Sequence, residues 1–436
     1  MIQRENALKY LKEWSTGSRS ARKPLLILGA RQVGKTHLVR QFIKEQSLDL
    51  FECNFELVPQ LKTFFEESLE PKEIIAKLSL YFQREFNPEK SILFFDEVQL
   101  GGRALTSLKY FFENAPEIRV IAAGSLLGLA LANEASFPVG KVNFLSLYPL
   151  TFFEFLSALG KERLLQLIQS NPLSEPLSSP FHEQLLELLK SYFIVGGMPE
   201  AVAAYVAGDP LYLQVRKVQE EILRGYVRDF SRHAGGASAS EIRAVWDSIP
   251  AQLAGENSRF FMNKVNHKER ALKAPIQWLI DAGAVLRSHR VGGIEIPFDS
   301  FKDTLVYKLY LHDVGLLTAR LSIEPKTILD PAHSLLLSFR GVVAENYVAQ
   351  QLTALLDKPL HFWASSGKAE LDFIIEDSNH PIGIEVKAGM NPKAKSLTSF
   401  ITKYSGVHAV RCSLLNFKKD GMIQNVPLYA VPRVRG

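Results

Sequence analysis

Residues Gly29-Ala30-Arg31-Gln32-Val33-Gly34-Lys35-Thr36 carry the spacing G-x-x-x-x-G-K-[ST]. That spacing builds a loop whose backbone N–H groups face phosphate oxygens. Lys35 has the length to reach a terminal pair of phosphates, and Thr36 can place its hydroxyl on Mg²⁺. Asp96-Glu97 closes the apolar run Ser91-Ile-Leu-Phe-Phe. Asp96 is positioned to hold Mg²⁺ through its water shell, and Glu97 to orient and deprotonate an attacking water. Ser125 follows a third apolar run, Arg119 to Ala123. It can touch the lytic water or a terminal phosphate, or cap the helical pattern LLGLALA, and the two roles are compatible. The chemistry these residues imply is hydrolysis of a nucleoside triphosphate, with ATP and Mg²⁺ as cofactors.

These side chains need elements to hold them. Lys23 to Ala30 reads as a strand entering the loop, and HLVRQFIKE after it reads as a helix whose N-terminal dipole favours anions. Ser91 to Gln99 and Arg119 to Ala123 read as further buried strands. From Thr151 to Ser231 the apolar spacing is helical, broken by the proline-punctuated loop Asn171 to Pro180 and by Gly196-Gly197-Met198-Pro199. Arg224 and Arg228 stand one turn apart, which suits phosphate or nucleic-acid contact but more often serves salt bridges on a helix face. Gly235-Gly236-Ala237-Ser238 is the best linker in the chain.

After the linker comes a helix, Ala239 to Ala254, then helix, turn, helix, a strand opened by Gly283, and a possible second strand at Ile294-Glu-Ile-Pro-Phe. That order suits a winged helix, with Lys264, Lys268, Arg270 and Lys273 on or before its second helix, where a DNA reader needs them, although winged helices also serve as protein–protein modules. Further on, a long helix from Ser334 to Leu356 contains Glu345. Strands at Leu360 to Ala364, Leu371 to Ile375 and Ile382 to Lys387 follow, then a helix from Ala394 to Tyr404 and a strand at His408 to Cys412. In a strand, Glu385 and Lys387 share one face, and Asp372 on a hairpin partner can join them.

The order GARQVGKT, FFDEVQ, AAGS, PVGKV, YPLTFFEFL, GGMPEAV resembles a bacterial and archaeal group of AAA-type P-loop ATPases that carry a C-terminal domain of unknown function. The resemblance covers nearly the whole chain. It implies an AAA+ core, a polar sensor at Ser125, and assembly into a homo-oligomeric ring of six or seven. Lys141 departs from the arginine usual in PVGRV, and lysine is a poorer bidentate partner for phosphate. Arg31 and Arg103 are the alternatives for an arginine finger. The C-terminal element order resembles the restriction-endonuclease-like fold with its PD-(D/E)xK signature, although Glu370-Leu371 stands where its proline would be. That resemblance implies Mg²⁺ at Asp372 and Glu385, Lys387 steadying hydroxide or charge on a phosphate, and Glu345 as a further metal ligand or its support.

The chain has 436 residues, 47% hydrophobic and 22% charged, which is globular composition with room for about three domains. Its formal charge of +5 permits a nucleic-acid partner without requiring one. Cys53 and Cys412 are too few for a disulfide framework or a cysteine zinc site. No apolar leader core opens the chain, and the stretch from Val120 to Ala132 is shorter than the ~20 residues that span a bilayer. A cytoplasmic protein without membrane partners is expected. The fold class expected is α/β, with a P-loop AAA+ core at 1–150, a helical lid at 151–235, a winged-helix-like domain at 236–330 and a nuclease-like α/β domain at 331–436. Its expected work is ATP-driven remodelling of, or movement on, nucleic acid, DNA ahead of RNA, with Mg²⁺-dependent cleavage by the last domain left open. A nucleotide switch or scaffold with an inactive nuclease-like domain is the alternative.

Overall fold

Short apolar runs that end in polar residues form the strands that place the first constellation. The computed structural model describes residues 4–18, 22–125, 127–128, 140–233, 238–255, 258–329, 337–365, 367, 369–388 and 395–435. Strands β1 (Leu25–Leu28), β2 (Asp49–Asn54), β3 (Ser91–Asp96), β4 (Arg119–Ala123) and β5 (Asn143–Ser146) make one sheet in the order β2-β3-β4-β1-β5. Every pairing in it is parallel. Helical crossovers cover such a sheet, so its central strands read as continuous apolar runs, and every residue of β3 and β4 is buried. Phe55, Phe65 and Phe95 pack edge to face at 5.1–6.0 Å within this core.

Contacts divide the chain into two units, one of residues 3–148 with 281–283 and one of 149–280 with 284–436. The second unit holds an eight-stranded sheet. Its strands are β6 (Val285–Val291), β7 (Lys302–Leu311), β8 (Leu360–Ala364), β9 (Glu370–Asp377), β10 (His380–Lys387), β11 (His408–Ser413), β12 (Lys418–Asp420) and β13 (Ile423–Pro427). Their order is β12-β13-β11-β10-β9-β8-β6-β7. The helices Phe152–Ala158, Glu162–Ser170, Ser179–Val195, Pro199–Val206 and Leu213–His233 fall in the same unit.

Two expectations change here. The second wing strand is not at 294–298: Pro297 has no N–H for a ladder, and the strand that pairs with β6 begins at Lys302. Nor does 236–330 stand apart from 331–436, because β6 pairs in parallel with β8, with Ser288 opposite Leu360. The helical segment is bound to the same body by side-chain amides. Gln351 on the helix Leu337–Leu356 accepts the N–H of Phe152 at 2.9 Å, and Gln350 accepts that of Val314 at 2.9 Å. Residues Gly235 to Ala237 of the expected linker, the start of the 334–356 helix and Ala394 lie outside the described residues.

The Gly196-Gly197 motif acquires a physical reason in this unit. The Gly197 N–H donates to Asp313 at 2.6 Å, and Leu150 donates to the Gly197 carbonyl at 2.7 Å. A Cβ on Gly197 would stand 2.1 Å from the Leu150 carbonyl oxygen. Asp313 is wholly buried, and burial raises its carboxyl to about 6 despite the backbone N–H groups of Gly197, Leu316 and Gly315.

Candidate active site

In a parallel sheet, ligands bind beyond the carboxyl ends of the strands. The loop after β1, the acidic pair after β3 and Ser125 after β4 all lie at that edge, because β4 is hydrogen-bonded between β1 and β3. Gly34 adopts φ +94°, a left-handed conformation, and the helix Lys35–Glu45 starts directly after it. Gly29 approaches β5 so closely that a Cβ would meet the Leu147 carbonyl oxygen at 2.2 Å. The loop is thus formed by the fold, and the helix N-terminus is aimed at whatever the loop encloses.

Lys35 is buried, and its ammonium donates to the carbonyls of Gly29 and Ala30, each at 2.8 Å. Burial lowers its pKa to about 8, with Glu97 and Asp96 opposing that shift. Asp96 is 4% exposed and accepts from Thr36 Oγ1 at 3.1 and 3.0 Å and from the Asn54 amide at 3.0 Å. Burial raises its carboxyl to about 6, and the Thr36 hydrogen bond pulls the other way. One hydroxyl and one carboxylate at contact distance are the donor set a hydrated Mg²⁺ takes beside a phosphate. The residues therefore fit a magnesium nucleotide, with Thr36 and Asp96 on the metal and the loop from Gly29 to Lys35 on the phosphates. Such a metal, when bound, neutralises charge on the phosphates.

Glu97 sits in a left-handed backbone conformation, φ 49° and ψ 48°. Its Oε2 accepts from Gln99 Nε2 at 2.7 Å, Ser125 Oγ at 3.0 Å and the Ser125 N–H at 3.1 Å. Strained non-glycine backbone at a chemical group persists only where surroundings over-determine it. Here three donors do so. Ser125 fills its expected position beside the acidic pair, whereas the helix it was expected to cap lies mostly outside the described residues. Asn54 and Gln99 were missed by sequence reading. Each is a polar residue at or just past the end of a strand, and that is the only signal they give.

The arginine-finger candidates are engaged within the chain. Lys141 pairs with Glu113 at 3.2 Å over the Phe112 ring, and the Arg103 guanidinium donates to the Glu66 carbonyl at 3.2 Å. Arg224 pairs with Glu220 at 3.2 Å on an exposed helix face, as its spacing predicts.

The second constellation differs from its expected form. Glu345 and Asp372 do come together, but around the ammonium of Lys308 on β7, 2.9 Å from Glu345 and 3.8 Å from Asp372. Glu370 joins them at 3.1 Å. Glu385 pairs instead with Lys387 at 3.0 Å. Among the described residues no group of three or more His, Cys, Asp or Glu is arranged to hold a metal ion. Burial, then Glu345, raises the Asp372 carboxyl to about 7, against the pull of Lys308. Lys308 was missed, though a lysine alternating within Tyr307-Lys-Leu-Tyr-Leu was its signal.

Residues 21–156 match the family model of an AAA domain. This stretch is an AAA-type ATPase domain. Residues 186–327 match one domain of unknown function (DUF8612) and 340–431 another (DUF4143). A stretch of 86 residues is 37% identical to an uncharacterized protein of Mycobacterium tuberculosis, covering 20% of this chain and 18% of that protein. The same figures hold for a Mycobacterium bovis counterpart. Among solved structures, a Walker-type ATPase of Pyrococcus abyssi is similar at TM-score 0.44 and 17% identity, over 74% of this chain and 96% of that one. The RuvB Holliday junction branch migration motor of Thermotoga maritima is similar at TM-score 0.30 and 13% identity, over 66% and 90%. The AAA domain supplies the parallel sheet and the loop; within the described residues no helix is long and apolar enough to cross a membrane.

Proposed function

We propose that ATP binding and hydrolysis in the AAA domain drive remodelling of, or movement on, DNA, with the second unit engaging the nucleic acid without cutting it. The observation that carries the DNA part is a run of exposed basic residues. Lys264, Lys268, Arg270 and Lys273 are all exposed, on and before the helix Glu269–Asp281. Exposed lysine and arginine supply the counterion-releasing contacts that phosphate backbones require. Assembly into a ring of six or seven subunits belongs to this reading, as does a restriction-endonuclease-like ancestry for the last strands.

The AAA domain contributes a pre-formed phosphate loop, a Thr36–Asp96 pair for the metal, and Glu97 as the base that takes a proton from water. ATP turnover measured with duplex, single-stranded and branched DNA tests the proposal. Stimulation by at least one of them is expected, and turnover indifferent to all of them sinks it. RNA in the same panel decides which nucleic acid is preferred. A nucleotide-dependent scaffold is the second reading, favoured by the saturation of the Glu345 cluster with internal donors.

A further inference from the structure

A buried ammonium stands beside Asp372, one of the two carboxylates a cutting domain would need for a divalent cation. Lys308 is 1% exposed, and its Nζ lies 2.9 Å from Glu345, 3.1 Å from Glu370 and 3.8 Å from Asp372. The Phe362 ring closes one further side at 5.0 Å. An ammonium offers three N–H donors, and three carboxylates surround this one.

Most other oxygens of the cluster are committed as well, Glu385 Oε2 being buried without a hydrogen-bond partner. Tyr310 donates to Glu345 Oε1 at 2.6 Å, and Ser258 to Glu345 Oε2 at 3.0 Å. Arg259 donates to Glu370 Oε2. The Val386 N–H donates to Asp372 Oδ2 at 2.7 Å. Lys387 holds Glu385 Oε1 at 3.0 Å. A hard divalent cation binds through oxygen lone pairs. Around Glu345, Glu370 and Asp372 donors already occupy the approach, and an incoming cation there would stand beside an ammonium.

We propose that Lys308 is the built-in cation of this site, occupying the place of a metal ion so that the acidic residues hold the sheet together and cut nothing. The inference deepens the non-cutting role assigned above to the second unit. Its structural effect is to fasten β7, through one ammonium, to the helix Leu337–Leu356 and to β9. Removing the ammonium should turn the cluster into a metal site, because Glu345 and Asp372 would then lose the cation between them while Glu370 keeps only Arg259.

The test is a Mn²⁺ titration of the full, nucleotide-free chain, read by the EPR signal of free Mn²⁺ and by thermal melting. Wild type and Asp372→Asn should bind Mn²⁺ identically. Lys308→Ala should gain one Mn²⁺ per chain and melt higher with the ion present, a gain that Asp372→Asn in the same chain abolishes. A Mn²⁺ equivalent lost from wild type on Asp372→Asn overturns the proposal, and so does a folded Lys308→Ala that takes up no ion. Should Lys308→Ala fail to fold, the comparison of wild type with Asp372→Asn still decides. Neither readout involves DNA or ATP turnover, so this proposal and the DNA reading fail separately.

Discussion

Ser125 Oγ and Glu97 Oε2 are 3.0 Å apart, joining the end of β4 to the end of β3 at one carboxylate oxygen. Gln99 donates to the same oxygen, so all three donors on Glu97 choose Oε2. The orientation of Glu97 is therefore set by its neighbours, and in the proposed role of base Oε1 is the oxygen that would accept a proton from water.

Removing the base and removing its support should differ in kind. Glu97→Gln is expected to keep ATP binding and slow turnover by roughly 10²–10⁴-fold, the range of general-base catalysis. Gln99→Leu and Ser125→Ala should lower kcat by less, with KM little changed. Steady-state kinetics beside nucleotide-binding fluorescence separates the cases, and normal turnover in Glu97→Gln would assign the base elsewhere. Lys35→Ala should abolish binding in the same assay.

In its proposed role as magnesium ligand, Asp96 should make ATP turnover acid-sensitive. Its carboxyl is raised to about 6 by burial, so it protonates as pH falls through 6 and its grip on a metal weakens there. ATP turnover should drop over that interval, with added Mg²⁺ moving the drop to lower pH. Folding follows the opposite sign: a raised carboxyl favours the folded state in acid, and that favour is lost as pH rises from the ordinary carboxylate range through about 6. Asp96→Asn should accordingly lose activity yet raise the melting temperature more at pH 7 than at pH 4.5. A variant that is equally shifted at both pH values would contradict this.

Gly197→Ala should destabilise the second unit by about 1–3 kcal/mol, the usual cost of overpacking. The added methyl would meet the Leu150 carbonyl oxygen at 2.1 Å. Differential scanning calorimetry should show a lowered transition for this unit. An unchanged melting profile would mean that the backbone at Leu150 yields freely.

Charge reversal among the exposed basic residues should weaken nucleic-acid binding independently of sequence. Each phosphate contact removed through Lys268→Glu or Lys273→Glu should flatten the slope of log affinity against log salt by about 0.9. Fluorescence anisotropy at several salt concentrations measures it. Turnover without DNA should be unaffected.

Much of the AAA domain was legible in the sequence because its chemistry is local. Loop, strand end and acidic pair are each written in a few consecutive residues, and β4 runs from Arg119 to Ala123 as read. The supports were not legible. Asn54 reaches Asp96, and Gln99 reaches Glu97, through spatial adjacency that no periodicity encodes. The same holds in the second unit. Strands β8 to β11 were each visible, but nothing in the spacing of Glu345 and Asp372 revealed that a lysine from β7 would enter between them.

The parallel pairing of Ser288 with Leu360 also fixes an order of events during synthesis. Every strand of the AAA sheet has left the ribosome once Ser146 has emerged, so that sheet can close early from contacts near in sequence. Strand β6 must instead wait, its edge unpaired on the β8 side, until the long helix and β8 have been made. An unpaired edge of that kind is a route to aggregation. Slow-codon or chaperone-depletion experiments should therefore injure the second unit and spare the first.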